Sequence, residues 1–442
     1  MPKGGRFQAL IYSIETLIRD AVSIRFCRSR RTYASIQKGA GYYSRSTYNN
    51  RLSFRIHIKL AYEGMLAAGY LEEVKRGVSH GPVGLYLTRY RATEKLMRHF
   101  RQVDVATLPL VTGPRVVQQI IRVQVTENTT DRNTGRPSKV KRLVNYNETA
   151  ETQQMRARLQ RINNVINANW IDLELSDEGF LALQARMRSR PDAWEEQEQQ
   201  LDLTRTTLYR VFNDTEFRTG GRFYGGWWQN IPSEARPLIT INGKPTVELD
   251  FSNLHPAILY AERGLEPPDD AYTNILPELP RKIAKIAFNA MLSAKKPLQR
   301  QPSSLKLSEY NVRWQGVVEG ILERHHKIAD AFFSNAGSRL QRLDSDLAER
   351  VMLSFADYAA PVPVLPVHDS FIVHHGYENE LREYMSQHFA DMFGMEIQLN
   401  MDLRAQSRGV QSIAEEDFGD ALCNPTGAEK RLGVFFNNRN GG

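Results

Sequence analysis

Val247-Glu248-Leu249-Asp250-Phe251-Ser252-Asn253-Leu254-His255-Pro256 decides how this chain is read. An apolar run ends in a carboxylate, turns through Ser-Asn and opens a second apolar run, Ala257-Ile258-Leu259-Tyr260. That pattern places Asp250 at a strand end beside a helix start, where a carboxylate can hold a metal ion. Far downstream, Pro363-Val364-Leu365-Pro366-Val367-His368-Asp369-Ser370-Phe371-Ile372-Val373 sets Asp369 between two strand-like runs, the pattern of a β-hairpin with the carboxylate at its tip. Between the two aspartates, a helix is expected to start at Pro280, with Arg281, Lys285, Asn289 and Leu292 on one face and Ile283, Ile286 and Ala287 on another. A lone aspartate at a turn is ordinarily a cap or turn former. Two at strand ends, with a cationic helix between them, match the needs of template-directed nucleotide addition. The carboxylates clamp two magnesium ions, with manganese as the alternative, and the cations hold the triphosphate.

Composition sets the frame. The 442 residues suffice for two or three domains, and the 41% hydrophobic and 24% charged content is ordinary for a globular chain. No apolar run is long enough for a transmembrane helix, and the N-terminus lacks the pattern of a secretory signal, so no membrane partner is expected. Cys27 and Cys423 stand far apart, which argues against a disulfide framework or a cysteine-rich zinc site and fits a reducing cytoplasm. The net charge of +8 is unevenly spread. Residues 1–150 carry about 26 Lys and Arg against about 10 Asp and Glu, while the remainder is acidic. A basic N-terminal third is the footprint of a nucleic-acid partner, a solvated basic surface being the plainer alternative.

Three regions follow. Residues 1–110 read as a winged-helix-like nucleic-acid-binding domain: helix, short helix, glycine turn, second helix, a longer helix from Ile56 to Gly69, then two strands around a glycine-rich tip. Its recognition helix would offer Arg45, Ser46, Tyr48, Asn49 and Arg51, and its wing Lys75, Arg76 and His80. Residues 111–165 read as a linker and connecting helix, polar over about 125–160, with helical spacing returning from Gln153 to Ile166. Residues 166–442 hold the chemistry. Here Phe217-Arg218-Thr219-Gly220-Gly221-Arg222-Phe223-Tyr224 combines arginines, glycines and aromatics, suited to a polyanion backbone and to stacking, or else to a glycine turn over a core.

With these residues in view, the chain resembles the family A DNA polymerases and the single-subunit RNA polymerases. Asp250-Phe251-Ser252-Asn253-Leu254-His255 is similar to motif A of the former, Asp-Tyr-Ser-Gln-Ile-Glu. Val367-His368-Asp369-Ser370-Phe371 resembles motif C of both groups, Gly221-Arg222 the Gly-Arg segment ahead of motif A, and the helix from Arg281 motif B. The likeness spans roughly residues 205–400. It implies an α+β fold, a right-hand polymerase-like core with an antiparallel palm sheet following the winged-helix domain. It also implies that Asp250 and Asp369 are catalytic and hold the metal ions, and that Arg281 and Lys285 grip the triphosphate, with Asn289, Phe288 and His255 around the nucleotide. Arg222 would hold the nucleic-acid backbone, with Arg218, Tyr224 and His368 beside it.

The pattern also departs from that family. His255 replaces the motif A glutamate, and Leu254-His255-Pro256 is similar instead to the Leu-Tyr-Pro of family B polymerases, whose middle residue is the sugar gate. Lys285 followed by Asn289 resembles the family B Lys-x-x-x-Asn pattern, the Tyr-Gly that ends motif B is absent, and Ser370 stands where motif C has glutamate. The expectation is a small, non-proofreading DNA polymerase of a phage or mobile element, acting on a DNA template–primer with dNTPs. NTPs are the alternative substrate, and the sequence assigns no oligomeric state. The rival readings are a single-subunit-type RNA polymerase or primase, a DNA-binding replication initiator with an inactive polymerase-like core, and a metal-dependent nuclease.

Overall fold

Apolar residues at helical spacing near the N-terminus form α1 (Gly4–Phe26) and α2 (Arg55–Ala67), with the short strand β1 (Ala34–Ile36) between them. The structure is a computed structural model, and it describes residues 4–26, 33–36, 55–77, 87–115, 117, 119–130, 137–189, 201–402 and 425–440. Helix α2 stops at Gly69, whose φ of 71° suits glycine. The Gly69 and Tyr70 N–H groups return to the carbonyls of Leu66 and Met65, the two bonds of a Schellman cap. The chain then enters β2 (Leu71–Lys75), which pairs with β3 (Thr88–Ala92). β1 pairs with the other edge of β3, completing an antiparallel sheet. Leu17, Val22, Ile36, Ile58, Tyr62, Leu71 and Tyr90 form its core. Arg45, Arg51 and His80 lie outside the described residues.

A second core runs from Val105 to Phe389. Its first elements correct the expectation of a linker. β4 (Ile121–Thr130) pairs antiparallel with β5 (Pro137–Val144), and the expected helix follows as α3 (Ala150–Asn167). Thr149 caps α3, its side chain accepting from the N–H of Thr152 while the Thr152 hydroxyl oxygen accepts from the N–H of Thr149. Met155, Leu159, Ile162 and Ile166 of α3 are buried in this core, so the segment is structural. The sequence hid this pair because the outer part of β4 is Thr, Glu and Asn throughout and that of β5 mixes Val and Leu with Lys and Arg, with no alternation to read.

The chain continues through β6 (Ile171–Leu173), α4 (Asp177–Ser189), β7 (Tyr209–Phe212), β8 (Gly220–Tyr224), β9 (Ile239–Ile241) and β10 (Lys244–Phe251). Helices α5 (Leu254–Ala261), α6 (Arg281–Ser293), α7 (Trp314–Arg324) and α8 (Ala336–Ala356) follow, then the hairpin β11 (Leu365–Val367) with β12 (Ser370–His374). α9 (Glu378–Phe393), β13 (Leu399–Asp402) and α10 (Pro425–Asn440) close the chain. Two sheets result. One is mixed, in the order β5-β4-β7-β8, with β4 and β7 parallel. The other is antiparallel throughout, in the order β11-β12-β10-β9-β6, with β13 also on β10.

The expected α+β class and antiparallel sheet are therefore present. Helix α10 closes the far edge of that sheet: Arg431 donates to Asp172 at 2.8 Å, and both are buried. Among the described residues, no helix is long and apolar enough to cross a membrane.

Candidate active site

Asp250 and Asp369 meet at one end of the antiparallel sheet. Strand β10 runs against β12 with Thr246 opposite His374 and Asp250 opposite Ser370. The Phe251 N–H donates to the Asp369 carbonyl at 3.3 Å, so the two aspartates stand side by side. β11 and β12 join through a two-residue turn, His368-Asp369, since Val367 pairs with Ser370. His368 opens that turn with φ 58°, a conformation that hairpin turns require and that glycine usually supplies. On the other side, Asn253 adopts φ 50° and ψ 42°, folding the chain from β10 straight into α5.

The electrostatics of this corner are unbalanced. Burial, then the charge of Asp369, push the Asp250 carboxyl up to about 7, against the pull of Lys285. Glu248 lies on the same face two residues earlier, but its charge is already met. Arg236 donates to it at 2.8 Å and the Ser370 hydroxyl at 2.6 Å. Ser370, where the resembled motif has glutamate, therefore ties β12 to β10. Among the described residues of this corner, Asp250 and Asp369 remain as the two carboxylates without such a partner.

They suit a hard divalent cation. Like charges crowded into a half-buried site are stabilised by a positive ion. Among the described residues, no three His, Cys, Asp or Glu side chains gather into a metal-holding group. Two carboxylates still fit magnesium, which keeps waters and takes its other oxygens from substrate phosphates.

Helix α6 supplies the cations. Lys285 is exposed, close enough to Asp250 to lower its pKa, with its ammonium 5.7 Å from the Tyr272 ring. Arg281 starts the helix and is paired with Asp270 while reaching Asn253 at 3.4 Å. Asn289 is partly exposed two turns along. Phe288 corrects the sequence reading. It is fully buried and packs edge-on against Tyr272, His325 and Phe332, so it holds α6 to the core and does not line the site.

Tyr272 was missed by sequence reasoning, which had no motif for it. Burial, then the charge of Asp369, hold its hydroxyl above the usual phenol range, which marks a phenol beside the two aspartates and the cations of α6.

Arg222 also departs from expectation. Its Nε donates to Asp344 Oδ2 at 3.0 Å, and His255 Nε2 lies 3.0 Å from the same oxygen. The arginine expected to hold nucleic-acid backbone is thus tied to a buried carboxylate on α8, within the field of Asp369. His255, the expected sugar gate, is fixed by the same contact. Gly221 has a packing reason: at φ 88°, a Cβ there would sit 2.8 Å from Ser345 Oγ. Glycine lets β8 press against α8.

Beneath Arg222, Arg210 is completely buried and bonds Glu349 at 3.1 Å, Ser345 at 2.8 Å and Asp346 at 3.0 Å. Arg158 donates to the same Glu349 at 2.8 Å. Asp346 and Glu349 of α8 thus serve as counter-charges to buried and half-buried arginines.

The remaining expected residues are scattered. Arg218 is exposed beside β8, and Tyr224 is exposed with its ring stacked on Tyr209 at 6.2 Å. His368 is exposed at the hairpin tip. Lys75 and Arg76 are exposed on the N-terminal sheet, whose core is separate from that of the aspartates.

No protein-family model matches the chain, and no curated protein matches it. Among solved structures it is similar to the POL domain of Pol1 from M. smegmatis, in complex with DNA primer-template and dNTP, at 15% identity and a TM-score of 0.30. The likeness covers 45% of this chain and 47% of that one, so the chain spans about half the length of that structure. A likeness at that level decides neither fold nor activity; the geometry of the site has to.

Proposed function

We propose that the chain is a template-directed nucleotidyltransferase, a small DNA polymerase with a right-hand core and an N-terminal winged-helix module. One observation carries the reading: Asp250 and Asp369 stand side by side, undercompensated, with Lys285 facing them. Held by these two aspartates, divalent ions would activate the primer 3′-hydroxyl and steady the departing pyrophosphate. Lys285 and Arg281 neutralise charge on the triphosphate, Arg281 exchanging Asp270 for phosphate when nucleotide arrives. Tyr272 presents a phenol between the cations and the aspartates, in position to orient the nucleotide. His255, fixed by Asp344, obstructs a 2′-hydroxyl by its bulk, which favours dNTPs over NTPs.

The order α1-β1-α2-β2-β3, with β1 beside β3, supports the winged-helix reading of the N-terminal module. Asp172, in a short acidic stretch, is neutralised by Arg431 and so adds no second catalytic centre.

The test is primer extension on primed DNA with and without magnesium. The wild type extends with dNTPs only in the presence of the ion, and Asp250→Ala and Asp369→Ala each abolish extension while still binding duplex. Extension by both variants would remove the assignment, and NTP use on an unprimed template would move it to an RNA polymerase or primase.

A further inference from the structure

The ribbon of β4 and β5 has no part in the site described above. Its root belongs to the core, where Ile121 and Val123 are fully buried. Farther out it leaves the body: every residue from Thr126 to Thr130 on β4 is exposed, as is every residue from Val140 to Leu143 on β5. Successive strand residues point to opposite faces, so both faces of the ribbon are in solvent. Pairing continues to Thr130 opposite Pro137, and five residues at ~3.4 Å each give a free reach of about 17 Å. A two-stranded ribbon wet on both faces is marginal alone and gains order from whatever it lies against.

Its chemistry selects the occupant. The two strands carry Arg122, Lys139, Lys141 and Arg142 against Glu127 alone. Arg142 meets Glu127 across the ribbon at 3.2 Å, so the balance stays positive. Lys141 stands opposite Thr126, amid amides and hydroxyls suited to phosphates and base edges. The ribbon is also continuous with the aspartate corner. Arg122, Val211 and Arg222 form one row across β4, β7 and β8, which puts the ribbon's root about 10 Å from Arg222 at ~4.8 Å per strand. Lysine on an edge strand does guard against pairing with other chains, but that needs one or two charges and no projecting arm.

We infer that this ribbon is a duplex-binding arm that lies in a groove of double-stranded nucleic acid, with Lys141 and Arg142 on its phosphates. A major groove about 12 Å wide admits a two-stranded ribbon. The inference deepens the nucleotidyl-transfer reading, because it sets the template–primer duplex along this side of the site. It is tested on the full chain by fluorescence anisotropy with a labelled blunt DNA duplex across a salt series, without metal or nucleotide.

Lys141→Gln with Arg142→Gln weakens binding on the order of 10-fold and reduces the slope of log affinity against log salt by about 2, the loss of two phosphate contacts. The charge-keeping pair Lys141→Arg with Arg142→Lys restores both, and circular dichroism is unchanged in all three proteins. Affinity and slope equal to wild type in the neutralised variant overturn the inference, as does an equal loss in the charge-keeping one. Because the assay needs no catalysis, an inactive aspartate pair leaves its outcome intact, and a silent ribbon leaves primer extension to be judged separately.

Discussion

Asp250 carries the sharpest consequence at the scale of a residue. Its carboxyl is raised from 3.8 to about 7 in the folded chain, so the metal-free fold holds a proton that the unfolded chain releases. The stabilising effect is full below about 4 and is lost as pH rises through about 7. Urea unfolding of the metal-free protein is therefore expected to show stability falling by a few kcal/mol over that window. Asp250→Asn flattens the slope, and magnesium does so in the wild type by compensating the charge. A metal-free wild type whose stability is flat or rising across the window would mean that neither burial nor Asp369 raises the Asp250 carboxyl.

Both aspartates were legible in the sequence because each ends an apolar run. Tyr272 was not, because its role depends on burial against residues distant in the chain. Phe288 was misplaced because helical spacing alone does not tell which side of α6 meets the core.

Among the elements, α8 does the most to shape the site, and the sequence said least about it. Its acidic stretch Asp344-Ser345-Asp346-Leu347-Ala348-Glu349 matches no motif, yet Asp344 and Glu349 are buried against arginines of the mixed sheet. The arginines come from β7 and β8, more than a hundred residues away, and no local pattern links them. Glu349→Ala should be costly, since it strips a fully buried Arg210 of its more deeply buried carboxylate partner. A loss of about 3 kcal/mol or more is expected in denaturant unfolding. Arg210→Met with Glu349→Leu should recover much of it, because the buried charge is then gone. If Glu349→Ala costs under about 1 kcal/mol, Arg210 does not rely on Glu349 for its charge balance. The β4–β5 hairpin was illegible for the opposite reason: a ribbon exposed on both faces has no buried face to impose alternation.

At the scale of the whole molecule, the described residues form two separate apolar cores, one spanning Leu17 to Leu108 and the other Val105 to Phe389. Polar contacts link them: Arg115 bridges Asp20 at 3.1 Å and Asp202 at 3.5 Å, and Arg19 reaches the Pro114 carbonyl at 2.9 Å. Scanning calorimetry should resolve two transitions, with the smaller N-terminal core melting first. A single transition with equal calorimetric and van't Hoff enthalpies would show that the cores unfold as one.

The pairing of β10 with β12 also has a consequence during synthesis. Glu248 and Ser370, which bond across those strands, are 122 positions apart. At translation rates of about 5–20 residues per second, β10 leaves the ribosome on the order of 10 s before its partner exists. For that interval Val247, Leu249 and Phe251 form an uncovered sticky edge, so slowed elongation over residues 252–370 should send more of the nascent chain to chaperones or into aggregates.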